Sequence, residues 1–466
     1  MTSQIPFHGR LVILGFGSIG QGVVPLILRH IDLPRSAITI VTAEPRGQEV
    51  AQDYGLAFVQ EAVTRENLDR LLRPLLGPGD FLLNLSVDVS SVALIRLAQE
   101  QEALYLDTCI EPWAGGYTDP ALSPSQRSNY ALRESALALA PGGATAVLTH
   151  GANPGLVSHF VKQALLNLAA DAGLPVAVPE AREGWAALAE TLGVKAIHIA
   201  ERDTQSAGFP KQRGEFVNTW SIDGFVGEGC QPAELGWGTH ETALPADGHR
   251  HDFGCDAAIY LMRPGAATRV RSWTPLEGPF HGFLITHNEA ISLADYYTVR
   301  DDSGAVRYRP TAHYAYHPCD DAVLSIHELA GKTWRMQPQK RLMMAEIETG
   351  MDELGVLLLG HARGAYWYGS RLTIAKARAL APHNNATSLQ VAAAVLGGMV
   401  WAIENPRAGL READALDHAR VLEVAAPYLG EMVGVYSDWT PLAGRGALFP
   451  EALDADPWQF SNIRVV

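Results

Sequence analysis

The chain has 466 residues, which at roughly 150 residues per domain gives room for two or three domains and excludes a single small module. Acidic residues outnumber basic ones, 51 to 36, for a net charge of −15 with His neutral; this argues against a nucleic-acid backbone or an anionic membrane as the main partner and favours cationic ligands. Apolar residues at 47% and charged residues at 19% are the composition of an ordinary globular core, so dominant disorder is excluded.

The opening MTSQIPFHGR lacks the basic, apolar and small-residue segments of a secretory signal. Apolar runs such as Val356-Leu357-Leu358-Leu359 are strand-length, far below the roughly 18 residues of a membrane span. Cys109, Cys230, Cys255 and Cys319 show no CxxC spacing and read as reduced thiols, so the expectation is a cytoplasmic protein with neither membrane nor nucleic-acid partner.

In chain order, Arg10 to Leu14 is a continuous apolar run of the kind a doubly buried parallel strand shows. It runs into Gly15-Phe16-Gly17-Ser18-Ile19-Gly20, and Gln21 to His30 then has helical spacing. Ala37 to Thr42 predicts the next strand, ending near Glu44, 24 positions after Gly20. A helix over Glu66 to Leu76, a strand at Asp80 to Leu85, a helix from Ser90 to Gln101 and a strand at Ala103 to Asp107 follow. A helix over Asn129 to Leu139 and a strand at Ala144 to Leu148 complete a doubly wound α/β pattern of the Rossmann type.

After Gly151-Ala152-Asn153-Pro154-Gly155 the texture changes. A helix from Leu156 to Ala170 leads into strand-like segments at Lys195 to Ala200, Val217 to Ile222 and Gly355 to Leu359. Helical patterns return at Val391 to Ile403 and Arg411 to Ala425. The organisation expected is a nucleotide-binding domain over 1–150, a mixed α+β substrate and dimerisation domain over 151–383, and C-terminal helices over 384–466 that return to the first domain.

The glycine motif gains its meaning from this context. Gly15 permits a tight turn, Gly17 lets backbone approach a pyrophosphate, Gly20 allows close packing, and the helix start at Ser18 and Ile19 offers free N–H groups. Glu44 would accept hydrogen bonds from adenosine ribose hydroxyls, favouring NAD over NADP, although Arg46 is a residue type that holds a 2′-phosphate. Ligands of such sheets sit beyond the carboxyl ends of the strands, which nominates Asn84, Asp88, Asp107, Thr108, Glu111 and Asn153. Asn84 and Asp88 equally suit a turn or a helix N-cap.

In the second half, acids interleave with aromatics: Glu201, Trp220, Glu228, Trp237 and Glu241, then His287-Asn288-Glu289 and Asp352-Glu353. Carboxylates anchor ammonium groups and an indole face stabilises a cation, so this pattern suits a diamine, whereas an oxo-acid substrate would want convergent arginines. His249 and His251 lack a Cys pair or HExxH helix, so no metal is assigned, and no G-x-S-x-G nucleophile elbow is present.

The segments LVILGFGSIGQGV, YLDTCIEPW, THGANPGLVSHF, AERDTQ, FVNTWSIDGFVGEG, GFLITHNEAISL and GMDELGVLLLG resemble the bacterial homospermidine synthase family across nearly the whole chain. ENPRAGLREADALDHARVLEVAAPYLG resembles the wider saccharopine dehydrogenase-like group. The resemblance implies a homodimer that keeps NAD bound, oxidises putrescine to an imine, loses ammonia, couples a second putrescine and returns the hydride, with other small polyamines accepted in part. It further implies Glu201, Trp220, His287 and Asn153 as reacting-centre residues and Glu228 and Asp352 as amine-binding groups. The alternatives are a saccharopine or carboxyspermidine dehydrogenase type of reductive coupling with an oxo acid, and a non-catalytic NAD-binding sensor.

Overall fold

The computed structural model describes residues 4–175 and 177–466. The first sheet is built from β1 (Leu11–Leu14), β2 (Ile38–Thr42), β3 (Ala57–Gln60), β4 (Phe81–Asn84), β5 (Leu104–Asp107) and β6 (Ala146–Leu148). In space it runs Leu410–Glu412, β6, β5, β4, β1, β2, β3, every pair parallel. Every residue of β1, β4, β5 and β6 is buried, because helices cover both faces, and this is why those strands read as unbroken apolar runs. Helix α1 (Ser18–His30) follows the glycine turn, and α2 (Ser91–Glu100) starts from Ser90, whose side chain caps the N–H of Ala93.

Local differences from the sequence reading have local causes. The helix expected over Glu66 to Leu76 shortens to Leu68–Leu72 plus a 3-10 turn over Arg73–Leu75, as Pro74 cannot continue the α ladder. A short helix at Gln48–Asp53 and the strand β3 were not anticipated; β3 is only half-buried at the sheet edge, which weakens its apolar signature.

Helix α3 (Leu156–Asp171) leads to the second sheet, which is mixed. Its centre is β7 (Ala196–Asp203), bonded in parallel to β8 (Thr311–His317) and antiparallel to β9 (Met351–His361), which pairs in turn with β10 (Gly364–Thr373). The run Val217 to Ile222, expected as one strand, is a strand only over Glu215–Asn218. Ser221 caps the N–H of Gly224 and starts α4 (Ile222–Cys230), so Trp220 sits in the turn between them.

The C-terminal segment is divided between the sheets and is not helical throughout. Helix α5 (Ala386–Glu404) packs on α1, and Leu410–Glu412, of which Arg411 and Glu412 were expected to be helical, pairs with β6. Glu431–Ser437 instead satisfies the free edge of β10, and Arg464–Val465 pairs with the second sheet. Helix α5 is long and apolar enough to cross a bilayer by composition, which the sequence reading did not anticipate. It is buried along nearly its whole length, joins the continuous apolar core between the two sheets, and opens with a capping box of Asn385 and Ser388.

Candidate active site

The glycine turn fits a dinucleotide phosphate on a direct structural test. Gly15 has φ +87°, and a Cβ there would lie 2.6 Å from the carbonyl oxygen of Leu85; at Gly20 a Cβ would lie 2.9 Å from the oxygen of Gly15. These two glycines shape the turn. At Gly17 an added Cβ would meet nothing within 4 Å, and no side chain caps the helix that starts at Ser18. The first-turn N–H groups of Ser18, Ile19 and Gly20 are therefore approachable from that side, together with the positive end of the helix dipole. Glu44 is exposed just beyond β2, with Arg46 Nε 3.9 Å from its Oε2. A cleft of about 700 Å³ beside Ser18 is lined by Arg46, Lys340, Arg341 and Arg378, so the approach to the phosphate position is cationic although the chain is acidic.

Two of the expected cofactor residues are spent on structure. Asn84 Nδ2 donates to Tyr105 Oη at 3.2 Å while its Oδ1 accepts from Ser86 N at 3.1 Å, which is the turn reading of this residue. Asp107 is fully buried; its Oδ1 accepts from Thr149 N at 2.6 Å and its Oδ2 from Tyr105 Oη at 2.8 Å. Its carboxylate pins β5 to the segment leaving β6, so as a side-chain cofactor ligand Asp107 is corrected. Thr108, one residue on, is half-buried.

Beyond the strand ends, the structure gathers acids from both layers. From the second sheet, β7 supplies Glu201 and Asp203 and β9 supplies Asp352, whose Cα pairs with that of Asp203. Glu228 comes from α4, Glu289 from the helix Asn288–Tyr296, and Glu111 from the loop after β5. All six are buried. Among the described residues, His287 is the one basic side chain in ion-pair contact with any of them: Nε2 is 3.0 Å from Glu228 and Nδ1 is 3.2 Å from Glu289.

The bonds among these groups are specific. Glu201 Oε2 accepts from Asn153 Nδ2 at 2.9 Å and from Tyr314 Oη at 2.5 Å. His287 lies against the Tyr314 ring at 4.6 Å. Trp220 Nε1 donates to Tyr316 Oη at 3.0 Å. Asp352 is held beneath by Thr387, whose hydroxyl donates to its Oδ2 at 2.5 Å, while its Oδ1 has no partner. The sequence-predicted Glu201, Trp220, Glu228, His287, Asn153 and Asp352 are thus brought together, with Asp352 fully buried.

Other expected members lie elsewhere. Glu353 points to the opposite face of β9, where Arg371 Nε donates to it at 2.7 Å, because side chains alternate along a strand. Trp237 packs on Phe460, and Glu241 accepts from the backbone N–H of Phe460 at 2.9 Å. His251, to which the sequence assigns no role, stacks on Tyr130 at 3.8 Å. Sequence reasoning missed Tyr314 and Tyr316, although the alternation in Thr-Ala-His-Tyr-Ala-Tyr-His places both on one face of β8.

Crowded, dehydrated carboxyls hold their protons. Burial, with Asp203 beside it, raises Glu201 to about 8 against the hydrogen bonds from Tyr314 and Asn153. Burial and then the charge of Glu228 raise Glu111 to about 8. Asp352 is pushed well above its ordinary range by burial and by Glu201 and Asp203. Burial alone would lower His287, but Glu289 and Glu228 outweigh it and hold the imidazole up to about 10, so it is cationic. The pocket therefore carries more potential negative charge than its single imidazolium balances, and a cationic ligand would release the strain of the remaining charges.

The raised groups fix a sign for stability. A carboxyl held at about 8 when folded, but near 4.5 when unfolded, stabilises the folded chain below the lower value and loses that contribution as pH rises through about 8. Thermal denaturation of the ligand-free protein from about pH 6 to 9 should therefore show a shallower loss of Tm with pH in Glu111→Gln than in the unmodified chain. Equal or steeper loss in the variant would contradict the buried-acid account.

Comparison with known proteins agrees with this architecture. Residues 11–149 match the saccharopine dehydrogenase NADP binding domain and residues 151–437 the saccharopine dehydrogenase C-terminal domain. The chain is 59% identical to the homospermidine synthase of Blastochloris viridis over the full length of both. It is 55% identical to that of Mesorhizobium japonicum, covering 98% of this chain and 96% of the relative. The crystal structure of the homospermidine synthase from Legionella pneumophila in complex with NAD superposes with a TM-score of 0.94, at 51% identity and full coverage of both chains. With such identity sustained from end to end, on a parallel nucleotide-binding sheet joined to a mixed sheet that carries a buried acid pocket, the chain belongs to the homospermidine synthase family.

Proposed function

We propose that the chain couples two molecules of putrescine into homospermidine with release of ammonia, using NAD without net oxidation or reduction. The observation that carries this reading is the set of six buried acids, two of them paired with one imidazolium, with Trp220, Tyr314 and Tyr316 beside them, beyond the strand ends of a dinucleotide-binding sheet. Full-length identity to named homospermidine synthases supports it.

The glycine turn, with Ser18, Ile19 and Gly20, would hold the pyrophosphate, and Glu44 the adenosine ribose, with Arg46 drawn toward Glu44. NAD, when bound, supplies a hydride acceptor that returns the same hydride later. The protein must do the rest. An ammonium cannot give up hydride from its carbon, so the amine has to lose a proton first. We assign that proton to Glu201, whose raised affinity for protons matches a working pH near neutrality and whose geometry is set by Asn153 and Tyr314.

The indole face of Trp220 then lies beside the cationic imine, a contact worth roughly 0.5–2 kcal/mol as desolvation increases. Glu228 and Glu111, from opposite layers, are suited to the distal ammonium, which fixes the chain length of the amine. His287 holds Glu228 in place through its paired ring nitrogens. Asp352, beside Glu201 and Asp203, completes the amine-binding set, and Asp203 is the neighbour that keeps Glu201 basic. The same reading includes a cytoplasmic protein and, on the resemblance alone, a homodimer paired through the second domain.

The direct test is incubation of the purified protein with putrescine and NAD, measuring amines, ammonia and the absorbance of reduced cofactor. Homospermidine and ammonia should accumulate in equal amounts over many turnovers without lasting NADH. Persistent NADH without a triamine would mean a plain dehydrogenase; turnover only with an oxo acid and added NADH would mean reductive coupling.

Two substitutions separate the parts. Trp220→Ala should lower turnover about 10-fold or more while cofactor affinity in a fluorescence titration stays unchanged; full turnover would remove the indole from the mechanism. Gly17→Ala should fold with little change in Tm, because its Cβ enters open space, yet weaken NAD strongly. Unweakened binding would place the pyrophosphate elsewhere.

A further inference from the structure

Trp220 sits in the turn between a strand and α4, so its own backbone element does not fix the plane of the indole and its side-chain contacts must. Its one polar handle is the Nε1–H, a donor only, and that donor meets Tyr316 Oη at 3.0 Å. Phe225 fills the angle between them, 5.3 Å from the indole and 5.6 Å from the Tyr316 ring. Tyr316 itself cannot move freely: it is fully buried on β8, and its Cα pairs with that of Glu201 on β7. Its ring stacks on Tyr314 at 5.0 Å and 15°, and Tyr314 is the residue that donates to Glu201. One rigid strand pair therefore carries the carboxylate and, through the tyrosine hydroxyl, orients the indole.

From this geometry we infer that Tyr316 is a positioning residue that fixes the plane of Trp220 relative to Glu201, so that the indole presents its face to the reacting amine. The inference rests on the reading of Trp220 as amine-facing. Tyr316 contributes through the orientation of a neighbour, so its effect exists only while the indole N–H is there to be held.

The test is a double-mutant cycle in the full-length enzyme, with kcat/KM for putrescine and cofactor affinity both read. Tyr316→Phe keeps the ring and its stacking and removes only the acceptor; it should lower kcat/KM about 10-fold, the scale of one lost buried hydrogen bond, without changing cofactor affinity. In a Trp220→Phe background, which has no N–H to position, adding Tyr316→Phe should cost nothing further. Replacing Trp220 by its benzothienyl isostere, with sulfur in place of the N–H, should reproduce the loss of Tyr316→Phe and serves equally if that variant does not fold. An equal loss from Tyr316→Phe in both backgrounds, or no loss in the unmodified one, would overturn the positioning role while leaving the proposed function intact. Full activity in Trp220→Ala would overturn the reading beneath it.

Discussion

Buried negative charge is the constraint around which this molecule is arranged. Six carboxyls from strands, helices and a loop are buried, none more than 8% exposed, and two of them, Glu228 and Glu289, pair with the one imidazolium. Moving a carboxylate out of water is costly, so each group must protonate, find a hydrogen-bond donor or await a cation. Tyr314 and Asn153 supply donors to Glu201, Thr387 to Asp352, and Thr219 with Gln205 to Asp203. The remainder is an affinity for ammonium groups, and the flat aromatic walls favour a cation over a neutral ligand of the same length.

Such a pocket exists only while the two layers stay in register, since Glu111 belongs to the first and Glu228 to the second. The contacts that hold them are themselves polar and buried. Arg133, 2% exposed, donates through Nε and Nη2 to Glu412 at 2.7 Å and through Nη2 to Asp295 at 2.9 Å. Asn129 N donates to Glu234 Oε2 at 2.8 Å across the same boundary. Around them the apolar core runs unbroken from Ile13 through Phe160 to Ile199 and Leu396. Asp107 has a related part, joining β5 to the segment after β6 through Thr149 just where the chain passes into the second layer.

Most of the first sheet was legible because its strands are buried on both faces and its glycine turn has a local mechanical reason. Less of the second was, because its organisation depends on pairings distant in sequence. Trp220 looked like a strand residue until Ser221 capped the following helix, and Trp237 and Glu241 looked like Trp220 and Glu228 although they face a different cluster. The chemistry of the pocket was readable from residue types, as acids mixed with aromatics. Its geometry was not, since Tyr316 reaches Trp220 across 96 positions and Tyr314 reaches Glu201 across 113.

The central claim is that one enclosed site removes a hydride from an amine and restores that same hydride to the coupled product. Putrescine deuterated at both amine-bearing carbons, turned over with NAD and an excess of unlabelled NADH in solution, tests it directly. The account predicts homospermidine that keeps all eight deuterium atoms of its two precursors. Product with seven, one deuterium replaced by hydrogen from the dissolved NADH, would contradict it.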